Sequence, residues 1–218
     1  MKDYNHKNLK IINADCMDIM KDYEDNYFDL AIVDPPYGIG ISGQKKSISK
    51  NPKHNRKYHK EKKWDSKIPN EIYFNELFRV SKNQIIWGAN YFVKYLNKGT
   101  KGWVFWFKGQ NGLTMSDGEI AYTSFQKATR QVKINRVDLL IDGTIHPTQK
   151  PLRLYNWLLE NYATKDDKIL DTHLGSGSSA IASYYYGCKE FVGIEIDEDY
   201  FNASIKRIKE QTSQIKLF

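Results

Sequence analysis

Six residues, Phe28 to Val33, read Phe-Asp-Leu-Ala-Ile-Val and stop abruptly at Asp34, Pro35 and Pro36. A short apolar run of this kind suits a strand covered on both faces, and two successive prolines let neither a helix nor a β-ladder continue past it. Such a strand needs a layer above and a layer below, and the rest of the chain supplies them by alternation. Lys10 to Asn13 is β-like and turns toward a helix with Asp15 at the junction. Pro69 to Val80 has helical spacing, Gln84 to Trp87 reads as a second buried strand, and Asn90 to Leu96 as another helix. Trp103 to Phe107 and Glu119 to Phe125 read as strands, periodicity is weak between Phe125 and Ile145, and Pro151 opens an amphipathic helix. The remainder repeats the order: a strand from Lys168, the loop 171–178, a helix ending at Gly187, a strand over Phe191 to Ile196, and a helix over Tyr200 to Gln211. This predicts an α/β, Rossmann-like fold with a mostly parallel central sheet and helices on both faces. Ligands in such sheets bind beyond the carboxyl ends of the strands, so the chemistry is expected at Asp34, Asp171 and Glu195.

Composition narrows the function. With 218 residues and 40% hydrophobic content the chain can bury a core as one domain spanning 1–218, yet no apolar run approaches the roughly 18–20 residues of a membrane span. The N-terminus carries charges without an apolar stretch, so no signal peptide and a cytoplasmic setting away from membranes are expected. Cys16 and Cys188 form no Cys-x-x-Cys or Cys/His spacing, so neither a disulfide nor a structural metal is expected. The net charge is +7, but residues 44–67 alone carry +8 and the remainder is close to neutral. Within that block Lys45, Lys46, Lys53, Arg56, Lys57, Lys60, Lys62 and Lys63 are interleaved with Tyr58 and Trp64, a pattern suited to a polyanion: the cations displace counterions from phosphates and the aromatics stack on bases. A solvated loop is the competing account of a charge run.

Three constellations carry chemistry. Gly175-Ser176-Gly177-Ser178 follows a strand and precedes a helix, with Glu195 at the end of the next strand. Small residues let the backbone approach a ligand, and an acid at that distance can accept from ribose hydroxyls, which favours a nucleoside cofactor although the third glycine of the dinucleotide pattern is replaced by Ala180. Asp34-Pro35-Pro36-Tyr37 ends a buried strand. An amine on a nucleobase is a poor nucleophile because its lone pair is delocalised. The Asp34 carboxylate and the Pro35 carbonyl can each accept one amino hydrogen and aim the lone pair, with Pro36 stiffening the loop and Tyr37 stacking on a base rotated out of its helix. His146-Pro147-Thr148-Gln149-Lys150-Pro151 precedes the amphipathic helix; Thr148 or Gln149 suits a cap, and His146 with Lys150 could meet a cofactor carboxylate.

In this combination the chain resembles the β-class S-adenosylmethionine-dependent amino-methyltransferases of DNA, in which the catalytic motif precedes the glycine loop, a circularly permuted methyltransferase order. The resemblance runs through Asn13 to Cys16, Asp34 to Gly38, Ile85 to Phe92, Ser116 to Ser124, His146 to Pro151, Asp171 to Ser178 and Phe191 to Ile196. It implies S-adenosyl-L-methionine as cofactor, held by Asp15, Cys16, Asp34, His146, Thr148, Gln149, Lys150, Asp171, Gly175, Ser176, Gly177, Ser178, Glu195 and Ile196. It implies catalysis by Asp34, Pro35, Pro36 and Tyr37 on the N6 amine of adenine in double-stranded DNA, since aspartate in the first position favours adenine in this family. A homodimer and a cognate restriction endonuclease are the candidate protein partners, and a bacterial or phage origin the candidate setting. N4-cytosine or RNA as substrate, and a catalytically silent DNA-binding module, remain alternatives. Where the family usually has Asp-Pro-Phe this chain has Asp171-Thr172-His173, a departure bearing on cofactor affinity and not on reaction type. DNA contacts are expected from a basic insertion at 41–67 and a small target-recognition region at 125–145.

Overall fold

A computed structural model describes residues 2–41, 43, 58, 62, 64–96, 99–110, 116–135 and 144–213. Among these, nine strands form one sheet: β1 (Lys2–His6), β2 (Leu9–Asn13), β3 (Phe28–Val33), β4 (Ser81–Trp87), β5 (Trp103–Phe107), β6 (Gly118–Thr123), β7 (Arg130–Lys133), β8 (Lys168–Asp171) and β9 (Glu190–Glu195). The helices are α1 (Cys16–Met20), α2 (Glu71–Val80), α3 (Leu152–Tyr162), α4 (Ser178–Tyr186) and α5 (Glu198–Ser213). The strand order is β1-β2-β9-β8-β3-β4-β6-β5-β7, with the run from β2 to β4 parallel throughout and antiparallel pairs at β1/β2, β4/β6 and β5/β6.

The alternation along each central strand explains the two layers. Leu30 and Ile32 of β3, Ile85 and Trp87 of β4 and Phe191 of β9 join Leu154, Leu158, Ile181, Phe201 and Ile208 from α3, α4 and α5. Ala31 and Val33, Ile86, and Val192 and Ile194 face the other way, onto Ile19 and Met20 of α1 and Phe74 and Leu77 of α2. Both faces of β3 are thus apolar because both are covered. Each large side chain fully buried in this way is worth about 1.5–3 kcal/mol. Asn70 starts α2 by accepting from the Tyr73 amide at 3.2 Å, and Pro151 precedes the first residue of α3.

The expected order of strands and helices is the one observed, with β3 and its catalytic loop preceding β8, the glycine loop and α4. Three elements differ. Asn90 to Leu96 is not an α-helix but two single 3-10 turns, Ala89–Tyr91 and Val93–Tyr95, entered from Gly88 in the left-handed conformation (φ +68°). β1 is an edge strand with only its third and fifth residues partly covered, so it lacks an apolar signal. β7, within the region read as aperiodic, pairs in parallel with β5 and buries only Val132 among exposed polar and charged neighbours. Most of the basic segment 41–67 and residues 136–143 lie outside the described residues.

Candidate functional site

The parallel run ends in a row of chemically active positions. Asp34 follows β3, Asp171 closes the neighbouring β8, and Glu195 closes β9. Over these strand ends lies a cavity of about 410 Å³. Its walls come from the segment after β2 (Asp15, Cys16, Met17), from Asp34 and Pro36, from the loop before α3 (His146, Thr148, Gln149, Lys150), from Thr172 to Ser176, and from Glu195 and Ile196.

At one end the Glu195 carboxylate accepts from the Gly175 amide at 2.8 Å and from the Asp197 amide at 2.9 Å, which fixes it across the mouth of the glycine loop. Burial pushes its carboxyl up, and those two amides work against the rise. Gly175 is left-handed (φ +53°), and a Cβ there would sit 3.7 Å from the His146 ring, so the missing side chain keeps the cavity open toward His146. His146 accepts at Nδ1 from the Thr148 side and packs between Trp64 and Tyr200, at 5.1 and 4.3 Å between ring centroids. Asp15 caps α1 by accepting from the Met17 amide at 2.9 Å. Burial pushes the Cys16 thiol up to about 12, which leaves it a neutral wall residue.

At the other end stands a network of four charges. The Lys150 ammonium, only 2% exposed, is ion-paired with Asp34 and lies 3.1 Å from Glu119 of β6; Lys108 pairs with the other oxygen of Glu119 at 2.6 Å. The Tyr37 hydroxyl donates to Asp34 Oδ1 at 2.6 Å and receives a 3.3 Å contact from Lys150. Burial pushes the Asp34 carboxyl up, opposed by Lys150 and reinforced by Glu119. Burial would raise Glu119 too, but Lys150 and Lys108 hold it down at about 2. The same two acids keep Lys150 protonated against the desolvation of its charge.

Several residues read from the sequence are placed elsewhere. Asp171 accepts from Ser179 Oγ at 2.5 Å and from the His173 amide at 3.0 Å, and does not line the cavity; burial lifts its carboxyl to about 7. Gly177 and Ser178 also lie behind the wall, where Ser178 Oγ accepts from Arg207 at 2.9 Å and Gly177 starts α4. Lys150 does stand on the cavity wall, where its ammonium is paired with Asp34 and Glu119. The Tyr37 ring has one face covered by Tyr91 at 5.1 Å, and neither it nor Pro35 reaches the cavity wall. Lys62 is not a phosphate contact in this arrangement: Asp197 (2.5 Å) and Asp199 (2.8 Å) neutralise its ammonium. Lys45, Lys46, Lys53, Arg56, Lys57, Lys60 and Lys63 lie outside the described residues.

Glu119, Asp65, Tyr73, Tyr155 and Tyr200 were not among the expected site residues, and Trp64, expected as a base-stacking aromatic of the basic block, walls the cavity beside His146. Glu119 alone left a signal, an acid flanked by apolar strand residues. Asp65, 3% exposed, accepts from the amides of Gly38 (2.9 Å) and Ile41 (2.8 Å) and so pins the chain just beyond Tyr37.

His173 leads to a pH prediction. Its Nδ1 is 2.9 Å from Thr172 Oγ1, its ring meets Tyr73 edge-on at 5.4 Å, and burial pulls its imidazole down to about 4. The unfolded chain, with an ordinary imidazole near 6.5, then binds a proton that the folded chain refuses. Stability present above pH 6.5 is therefore lost as the pH falls toward 4. His173→Phe removes this loss, so urea unfolding at pH 7.5 and 4.5 is expected to show the variant gaining about 2–3 kcal/mol on the wild type between the two. Asp171 titrates with the opposite sign in both proteins and drops out of the difference.

Comparison with known proteins agrees with the geometry. Residues 47–206 match the N6/N4 methyltransferase family, described as DNA methylase. The Type II methyltransferase M2.MboI of Moraxella bovis is 25% identical over 251 residues, covering 96% of this chain and 91% of its own. Among solved structures, the M1.HpyAVI–SAM complex superposes with a TM-score of 0.63 at 19% identity, covering 92% of this chain and 98% of that one. The cytosine-N4-specific PvuII DNA methyltransferase superposes with a TM-score of 0.60 at 12% identity, covering 94% of this chain and 90% of its own. At these identities both share the fold. The family match runs from before α2 into α5, over more than half of the chain and across every strand end that walls the cavity except that of β2 and β3, and this chain belongs to the DNA methylase family.

Proposed function

We propose that this protein transfers a methyl group from S-adenosyl-L-methionine to the exocyclic N6 amine of adenine in double-stranded DNA. The observation that carries the proposal is the placing of two acids on one cavity: Glu195, at the end of β9 and tied to the glycine loop, and Asp34, just past the end of β3 on the far side of β8. The cavity fits the cofactor. Glu195 and Asp15 offer acceptors for ribose and adenine, Gly175 leaves room for close approach, and His146, Trp64 and Tyr200 give an aromatic wall. Bound there, S-adenosyl-L-methionine supplies an electrophilic methyl group.

The chain's own residues do the rest. Asp34 Oδ accepts one amino hydrogen of a base rotated into the site, and the Pro35 carbonyl, set back from the cavity wall beside it, is the acceptor proposed for the other; together they free and aim the nitrogen lone pair. Pro35 and Pro36 hold that geometry, and the Tyr37 hydroxyl keeps Asp34 oriented. The amine must shed one proton after transfer, and Asp34, its carboxyl raised by burial, is placed to take it. Aspartate at position 34 is what favours adenine over cytosine in this reading.

Mass spectrometry of nucleosides from unmethylated duplex DNA, incubated with protein and cofactor, tests it. N6-methyladenine is the expected product. N4-methylcytosine would change the base while keeping the mechanism, and no modified base would overturn the reading. Glu195→Ala is expected to raise the cofactor Kd about 10- to 100-fold by calorimetry, since a charged acceptor is lost, and to leave DNA binding unchanged.

A further inference from the structure

Of the four charges and the Tyr37 hydroxyl bonded to them, only Asp34 and Lys150 line the cavity; Glu119, Lys108 and Tyr37 stand behind them. The cavity therefore meets an acceptor and a donor side by side. A base that offers a transferable amine presents the complementary pair on its Watson–Crick edge: an amino N–H beside a ring nitrogen with a free lone pair, N6 and N1 in adenine, N4 and N3 in cytosine. Thymine offers an acceptor oxygen beside a ring N–H, which would place like groups against both Asp34 and Lys150.

Resting on the reading of the chain as a DNA amino-methyltransferase, we propose that Lys150 is a specificity-determining residue that donates to the ring nitrogen next to the target amine, and that Glu119 is the positioning residue that holds it there. Lys150 has three N–H groups and three oxygen partners among the described residues: Asp34, Glu119 at 3.1 Å, and Tyr37 at 3.3 Å. The Tyr37 contact is the longest, and the phenol already donates to Asp34, so this N–H is the one released to an incoming base. Glu119, fixed from behind by Lys108, retains the ammonium while Asp34 turns its free lone pairs to the amine. The groups facing Asp34 from the packed elements are Lys150, Glu119, Tyr37, Tyr73 of α2, Tyr155 of α3 and Asp171 of β8; Lys150 is the one cation among them. This assignment differs from a cofactor contact, since it predicts that Lys150 reads the base and leaves cofactor affinity alone.

The test uses duplexes carrying the methylated site with adenine or 1-deazaadenine at the target, in which N1 becomes C–H (3-deazacytosine if the product is methylcytosine). The wild type is expected to lose about 10- to 100-fold in kcat/KM on the deaza duplex, the effect of one hydrogen bond from a charged donor. Lys150→Met should be slowed by a similar factor on adenine, lose less than about threefold more on the deaza duplex, and bind S-adenosyl-L-methionine as the wild type does. Glu119→Gln, with an isosteric anchor, covers the case in which Lys150→Met fails to fold, and should shrink the deaza penalty below about tenfold at unchanged cofactor affinity. A full deaza penalty retained in the variants, or a cofactor Kd raised by Lys150→Met, overturns the proposal while the methyltransferase reading stands. No methylation of the unmodified duplex by the wild type overturns both.

Discussion

Replacing Asp34 with alanine is expected to lower methyl transfer about 10²- to 10⁴-fold while S-adenosyl-L-methionine still binds, because the substitution removes the acceptor that aims the amine and leaves the Glu195 end of the cavity intact. Lys150 keeps its 3.1 Å partner Glu119, so its charge is not stranded, and Asp34→Asn, which retains the shape, separates folding from chemistry. Nucleoside mass spectrometry beside calorimetric cofactor titration reads both quantities on one preparation; a variant with most of its turnover would sink the assignment. The pH profile supplies a further check. Asp34 acts as the carboxylate, and burial raises its carboxyl above the usual aspartate value near 3.8, so kcat should fall as the pH drops through that raised value and not at ordinary aspartate acidity.

Gly88→Ala is expected to destabilise the fold by about 2–4 kcal/mol, the sum of left-handed strain and overpacking, and to disable the catalytic loop at temperatures where the chain is still folded. Position 88 has φ +68°, and a Cβ there would lie 2.1 Å from Tyr37 Cε1 and 2.5 Å from its Cζ. The Tyr37 ring would have to leave its stack on Tyr91 and carry its hydroxyl off Asp34. Thermal unfolding with Tyr37→Ala as background distinguishes the two terms: removing the ring should cut the penalty to the backbone part alone, about 1–2 kcal/mol. Equal penalties in both backgrounds would show that Tyr37 is not the obstacle.

The strands that carry the site were legible because burial on both faces writes a continuous apolar run, as in Phe28 to Val33, and because an acid directly after such a run marks the strand end. β1 and β7 were not, since edge strands with one partner keep polar side chains: Lys2 to His6 and Arg130 to Lys133 look like loop. The turns after Gly88 mimic helical spacing over too few residues to be told apart from it. In the site, Asp34, Gly175 and Glu195 stood out through local context. The Asp34–Lys150–Glu119 cluster did not, because its members join across the fold, with Tyr37 82 residues from Glu119 and 113 from Lys150. Lys62 misled for a related reason: in sequence it is one of a run of cations, whereas its neutralising acids, Asp197 and Asp199, lie 135 and 137 residues away.

Asp65 receives the amides of Gly38 and Ile41, so the chain departs from the catalytic loop and returns to it at one point. A detour whose two ends are tied together is thermodynamically nearly indifferent to its own length, each doubling adding only about 0.6 kcal/mol of closure entropy. The number of residues between Ile41 and Asp65 therefore bears little on the geometry of Asp34 to Tyr37, which Asp65 holds from the near end of the detour.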